Sequence, residues 1–180
     1  MANCPKCKHR VLLPTVLTAG LSARGCKGCR GAMVDLVAYR AWSDHQGIDA
    51  VRTEGGADIA VDDTAKAVLC PNCDKLMLKF RVSPDTENRL DYCAGCDAAW
   101  LDGGEWQQLE HMGLRANLGS VFSEPWQRRV REGEVSRMQA ATLRERFGER
   151  HDYLIAFKRW LQTQPDRHEI VGWLATPDDG

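Results

Sequence analysis

The chain has 180 residues, enough for one ordinary domain or several small ones. Its 24 Lys and Arg stand against 25 Asp and Glu, so bulk electrostatics select no partner. The longest apolar run, Val11–Leu17, is interrupted by Pro14 and Thr15 and is far too short to span a bilayer. No apolar signal core follows the first charges, so a cytoplasmic protein with reduced thiols is expected.

Cysteines dominate the reading in chain order. All 8 fall into C-x-x-C pairs: Cys4/Cys7, Cys26/Cys29, Cys70/Cys73 and Cys93/Cys96. In a reducing compartment such pairs more often hold metal than form disulfides. The pairs repeat as a set. Cys4-Pro-Lys-Cys7 matches Cys70-Pro-Asn-Cys73, and Cys26-Lys-Gly-Cys29 matches Cys93-Ala-Gly-Cys96. Past the last cysteine, Met33-Val34-Asp35 falls where Trp100-Leu101-Asp102 falls, and Tyr39 falls where Trp106 falls. The pattern reads as an internal duplication.

Each copy has a physical logic. A C-x-x-C turn delivers two thiolates from one tight loop, and zinc takes four such soft ligands in a tetrahedron. Gly28 and Gly95 suit a turn that needs positive φ or close backbone approach. In the second copy, Leu76–Val82 reads as a strand, Ser83–Asn88 as turn chemistry, and Arg89–Tyr92 as the returning strand. Two knuckles on short antiparallel strands, clamped by one metal, make a zinc ribbon, and the metal supplies stability that so short a chain lacks. A rubredoxin-type iron site uses similar knuckles, and C-x-x-C also serves dithiol redox chemistry. Two complete sets of four favour zinc. The expected ligands are Cys4, Cys7, Cys26 and Cys29 for one ion, and Cys70, Cys73, Cys93 and Cys96 for a second.

With C-P-x-C, C-x-G-C and W-L-D-x-G-E in place, residues 70–106 resemble the transcription-factor-IIB-type zinc-ribbon family of bacterial proteins. The first copy, over residues 4–39, matches less fully, with Met33-Val34 for Trp-Leu and no Gly-Glu after Asp35. The resemblance implies zinc on Cys70, Cys73, Cys93 and Cys96. It does not imply transcription, because the family name describes the shape of the ribbon.

Asp102-Gly-Gly-Glu105 precedes an apolar run, as in a capping box. The expected helix runs from Gly103 to about Met112, places Trp106 and Leu109 on one face, and stops at Gly113. Asp102 and Glu105 as a catalytic pair beside zinc fail on chemistry, because a four-thiolate zinc has no open position for water. His9, His45, His111, His151 and His168 lack ligand spacing and are read as surface or helix residues.

Residues 49–69 form an acidic connector, with one short helix expected at Asp63–Val68. Ser123 caps a long helix ending at Phe147 before Gly148. Tyr153, Leu154, Phe157, Trp160 and Leu161 follow helical spacing, and Gln164-Pro-Asp breaks to a helix carrying Ile170, Val171, Trp173 and Leu174. This helical hairpin is read as core. Arg167 and His168 are too few for a DNA-reading second helix.

The expected fold class is therefore a small metal-stabilised α+β protein: tandem zinc ribbons, each followed by a helix, plus an all-α C-terminal extension. Residues 1–48 hold the first ribbon and its helix, 49–69 the connector, 70–114 the second ribbon and its helix, and 115–180 the extension. With no nucleophile–base pair, phosphate loop or open metal site, the function expected is non-enzymatic: a zinc-binding adaptor or regulator whose partner is another protein, with no membrane and no small-molecule substrate. Residues 1–40 carry seven basic residues against Asp35, a balance of +6, and residues 70–113 carry four basic against eight acidic, a balance of −4. The contrast fits two ribbons docked on each other with their charges mutually satisfied; nucleic acid bound through the basic first ribbon is the alternative function, and a zinc-thiolate redox sensor is a third.

Overall fold

The computed structural model describes residues 2–18, 20–46 and 66–177. The chain folds as two compact units, Met1–Glu134 and Val135–Gly180. The first holds strands β1 (Leu13–Val16), β2 (Ser22–Gly25), β3 (Ala32–Asp35), β4 (Leu78–Arg81), β5 (Arg89–Cys93) and β6 (Ala98–Leu101). Its helices are α1 (Leu36–Gln46), α2 (Glu105–His111), α3 (Leu118–Val121) and the start of α4 (Glu124–Phe147). The rest of α4, α5 (Arg150–Gln162) and α6 (Arg167–Leu174) form the second unit. This is an α+β protein with an antiparallel sheet. Among the described residues, no helix is long and apolar enough to cross a membrane.

The six strands make one sheet in the order β1-β2-β3-β6-β5-β4, so each cysteine-bearing stretch supplies three consecutive strands. The stretches join edge to edge where β3 pairs with β6, and Met33 lies opposite Trp100, its counterpart in the sequence match. The strands of the two cysteine-bearing stretches thus share one sheet, and described residues as far as Glu134 belong to the same unit.

β3 and β6 were not legible as strands. Every residue of β6 is buried, because side chains are covered on both faces of the sheet and no polar alternation marks it. Val34, Ala99 and Leu101 point into one cluster with Leu36, Tyr39, Trp106 and Leu109 of the helices. Met33, Ala98 and Trp100 point into a second cluster, with Cys4, Cys26, Cys70 and Cys93. One face therefore carries helices and the other carries thiols. Trp42 meets Trp106 edge-on at 6.1 Å, so α1 and α2 touch across the join. The phenol of Tyr39 donates to the Arg115 carbonyl at 2.7 Å and accepts from the Leu118 amide at 3.0 Å, and burial raises its pKa.

The connector over 49–69 lies mostly outside the described residues. Of the short helix expected at Asp63–Val68, residues 66–68 are described and are not helical, because Val68 is buried and its carbonyl accepts from Met77 in extended pairing. The long helix starts where Ser123 predicts, with Ser123 Oγ accepting from the Trp126 amide at 3.4 Å, and it ends before Gly148 at φ 53°. The α5–α6 hairpin forms over the expected residues, but its aromatic stripe is not core. Tyr153 is 78% exposed and Trp173 is 73% exposed.

Candidate metal centres

Four knuckles share one construction. After the second cysteine of each pair the backbone turns through the left-handed region, at Lys8 (φ 57°), Arg30 (φ 60°), Asp74 (φ 56°) and Asp97 (φ 46°). Such a conformation costs a non-glycine residue on the order of 1–3 kcal/mol, so its recurrence at one offset shows that the surroundings impose it. The amides of Lys8, Arg30 and Asp74 donate to the carbonyls of Cys4, Cys26 and Cys70 at 2.7, 2.8 and 2.9 Å. Positive φ therefore falls two residues beyond Gly28 and Gly95, and only Gly28 is closely approached, by the Arg10 side chain. A Cβ on Gly28 would meet Arg10 Cδ at 2.6 Å, whereas one on Gly95 would meet Lys75 Cδ at an ordinary 3.4 Å.

The knuckles close into two sets, Cys4/Cys7/Cys26/Cys29 and Cys70/Cys73/Cys93/Cys96, with all four sulfurs of each set within 4.8 Å of one another. Cys4 and Cys29 Sγ lie 3.5 Å apart, Cys73 and Cys93 3.6 Å, and Cys70 and Cys96 3.9 Å. A disulfide needs about 2.05 Å, so all eight are free thiols. A tetrahedron with metal–sulfur bonds of about 2.3 Å sets sulfurs about 3.8 Å apart, so both sets fit one ion each. No histidine or carboxylate joins either set among the described residues.

Amides from the loops donate to sulfur: Cys7 to Cys4 Sγ at 3.2 Å, Gly28 to Cys26 Sγ at 3.4 Å, and Asn72 to Cys70 Sγ at 3.4 Å. The thiols respond unequally. Burial pushes Cys26 up, but the amides of Cys29 and Gly28 and the thiols around it bring it down to about 7. Cys73 falls to about 7 through the Lys75 amide and the Cys96 thiol. Burial raises Cys4, Cys29 and Cys70, and Cys96 is pushed up to about 12 by the Cys73 thiol and then by burial. One thiolate forms readily in each set, at Cys26 and at Cys73, while Cys4, Cys29, Cys70 and Cys96 resist joining it. Four thiolates together need a cation among them.

Residues from one stretch hold the other's site. Trp100, fully buried, lays its indole across Gly31, where a Cβ would meet Trp100 Cζ2 at 2.4 Å. A Cβ on Gly103 would meet the Cys29 carbonyl oxygen at 2.5 Å. Lys6, inside the first knuckle, sits 3.8 Å from Asp102. Arg40 forms a two-pronged pair with Asp97 at 2.6 and 3.2 Å, and this guanidinium holds the Asp97 carboxyl below its usual range. Arg24 donates to Asn72 Oδ1.

The capping box is half realised, which corrects the role of Asp102. Glu105 reaches back to the Asp102 amide at 2.7 Å, but the helix cap position is Gly104, at φ 95°, with no side-chain cap. The Asp102 carboxylate instead accepts from Trp100 Nε1 at 2.9 Å. Two glycines delay α2, which starts at Glu105 rather than Gly103, and carry the helix out of reach of that carboxylate. The capping aspartate is Asp35, whose Oδ1 accepts from the amides of Val37 and Ala38 at 2.8 and 3.0 Å. Its place directly before Leu36-Val-Ala-Tyr39 was a readable signal.

The charge contrast between the stretches is partly consumed by these ties. Lys6 and Arg40 are spent on carboxylates of the second stretch. Lys8, Arg10, Lys27 and Arg30 remain exposed around the first four-thiol set and pair with no carboxylate among the described residues. Comparison of the chain with protein-family models, curated proteins and solved structures finds no match.

Proposed function

We propose that the chain is a non-enzymatic, two-zinc protein of tandem ribbons, of the transcription-factor-IIB type that its second copy resembles, which works as an adaptor for an acidic protein surface. The observation that carries the reading is the pair of complete four-thiol sets. A metal held by four thiolates is closed to water, so it stabilises the fold rather than activating a substrate. Zinc is the metal proposed because two knuckles of two cysteines make its usual structural set. The partner is read from Lys8, Arg10, Lys27 and Arg30 around the first set, which pair with no carboxylate among the described residues. An acidic protein surface would complement them, while the second stretch, with its balance of −4, sits beside them in the same sheet and restricts how far an anion can extend.

Elemental analysis of protein purified without added metal is expected to give two zinc per chain. A value near one would remove one site, and dominant iron would replace zinc. For the partner, nuclease-treated pull-downs with wild type and Lys8→Glu/Arg10→Glu should differ in the proteins retained. The same four cations favour a second reading, a nucleic-acid phosphate backbone. RNA and DNA titrations separate the two: steep salt-dependent binding abolished by the double change would shift the assignment to nucleic acid.

A further inference from the structure

In residues 135–177, which include most of α4 and all of α5 and α6, only His151 is buried. On α5 the arrangement is inverted relative to a core helix. At 100° per residue, Tyr153, Leu154, Phe157 and Trp160 fall within an arc of about 120°, and all four are exposed. On the opposite side His151 is buried and Ile155 half-buried, while Leu161, at the C-terminal end of the stripe, is half-buried too. On α6, joined by the short turn after Thr163, Val171, Trp173 and Leu174 are exposed as well.

We propose that this face is the interface of a homodimer, in which α5 packs antiparallel against α5 of a second copy. The area is of the right size. Tyr153, Trp160, Phe157 and Trp173 are 78%, 49%, 41% and 73% exposed, which at 150–250 Å² per aromatic leaves roughly 500 Å² open. Leu154 and Leu174 raise this to about 600 Å², against the roughly 800 Å² that each partner buries in a stable interface; Val171 lies about 160° from Trp173 on α6 and is not counted.

Charge selects a second copy over another occupant. Asp152 and Arg159 lie two turns apart on the same edge of the stripe, and both are exposed. In an antiparallel pair, like edges meet in reversed direction, so Asp152 of each copy faces Arg159 of the other, twice, by symmetry. Leu154 of each copy then opposes Phe157 of the other. Within its own chain Asp152 Oδ1 lies 3.1 Å from His151 Nδ1 and 3.9 Å from Arg144, and the exposed carboxylate keeps Oδ2 for a partner. A bilayer would instead favour a uniformly basic rim, and this one is mixed.

The inference does not depend on metal identity or on the adaptor reading. Light scattering and sedimentation of the full, zinc-loaded chain should show a concentration-dependent dimer. Trp160→Asp, and the milder Tyr153→Ser, should give monomers with unchanged helicity and zinc content. Asp152→Arg and Arg159→Asp should each weaken the dimer roughly tenfold, since two pairs turn from attraction to repulsion. The double variant Asp152→Arg/Arg159→Asp should restore it. A monomeric wild type, or a dimer indifferent to these changes, would overturn the proposal. So would Trp160-dependent binding of a monomer to phosphatidylserine vesicles.

Discussion

Trp100→Ala perturbs the join of the two cysteine stretches at its centre. Trp100 is fully buried, pairs across the sheet with Met33, and shares a cluster with Cys4, Cys26, Cys70 and Cys93. Truncating a buried aromatic costs about 3–5 kcal/mol, because Met33 and Gly31 cannot collapse into so large a space. The indole also donates to Asp102, which is 3% exposed, and removing a buried partner adds about 1–3 kcal/mol. A total of roughly 4–8 kcal/mol would take most of the 5–15 kcal/mol that holds a typical domain. Trp100→Phe keeps most of the ring and loses the N–H, so about 1–3 kcal/mol is expected. Urea unfolding of the zinc-loaded protein measures the cost, and chelator-driven zinc release reports each site. Release from the first set should accelerate, although Trp100 belongs to the other stretch. A loss below about 2 kcal/mol for Trp100→Ala, or faster release from the second set alone, would refute this account of the join.

Three further outcomes follow from single interactions. Asp35→Ala removes the cap of α1 and should cost about 0.5–2 kcal/mol in thermal or urea unfolding, while Asp35→Asn retains most of the cap. Tyr39→Phe leaves the Leu118 amide and the Arg115 carbonyl without the phenol, so about 1–3 kcal/mol should be lost with zinc content unchanged. Arg40→Met should let the Asp97 pKa rise toward its ordinary value, read by NMR titration. Because the folded-state pKa of Asp97 is depressed, its stabilising effect is present above the unfolded value near 3.9 and lost as pH falls through the folded value. The difference in stability between wild type and Arg40→Met should therefore shrink on acidification below about pH 4.

What the sequence determined by itself was local. Cysteine spacing places two thiols on one turn wherever C-x-x-C occurs, and the repeat of the pairs as a set made the grouping of Cys4, Cys7, Cys26 and Cys29, and of Cys70, Cys73, Cys93 and Cys96, legible. Helix limits at Ser123 and Gly148, and the break at Gln164-Pro-Asp, were legible because caps, glycine and proline act on their immediate neighbours. The remainder depended on residues far apart in the chain. Ala98–Leu101 becomes a strand because β3 pairs with it on one side and β5 on the other, and four apolar residues carry no period to announce that. Asp35 and Asp102 occupy matching positions, yet one caps a helix and the other holds Trp100, because Gly103 and Gly104 move the helix of the second stretch away. The same limit explains the α5 stripe. Periodicity reports that Tyr153, Phe157 and Trp160 share a face, but only the packing of the chain decides whether that face is covered, and here it is open to solvent.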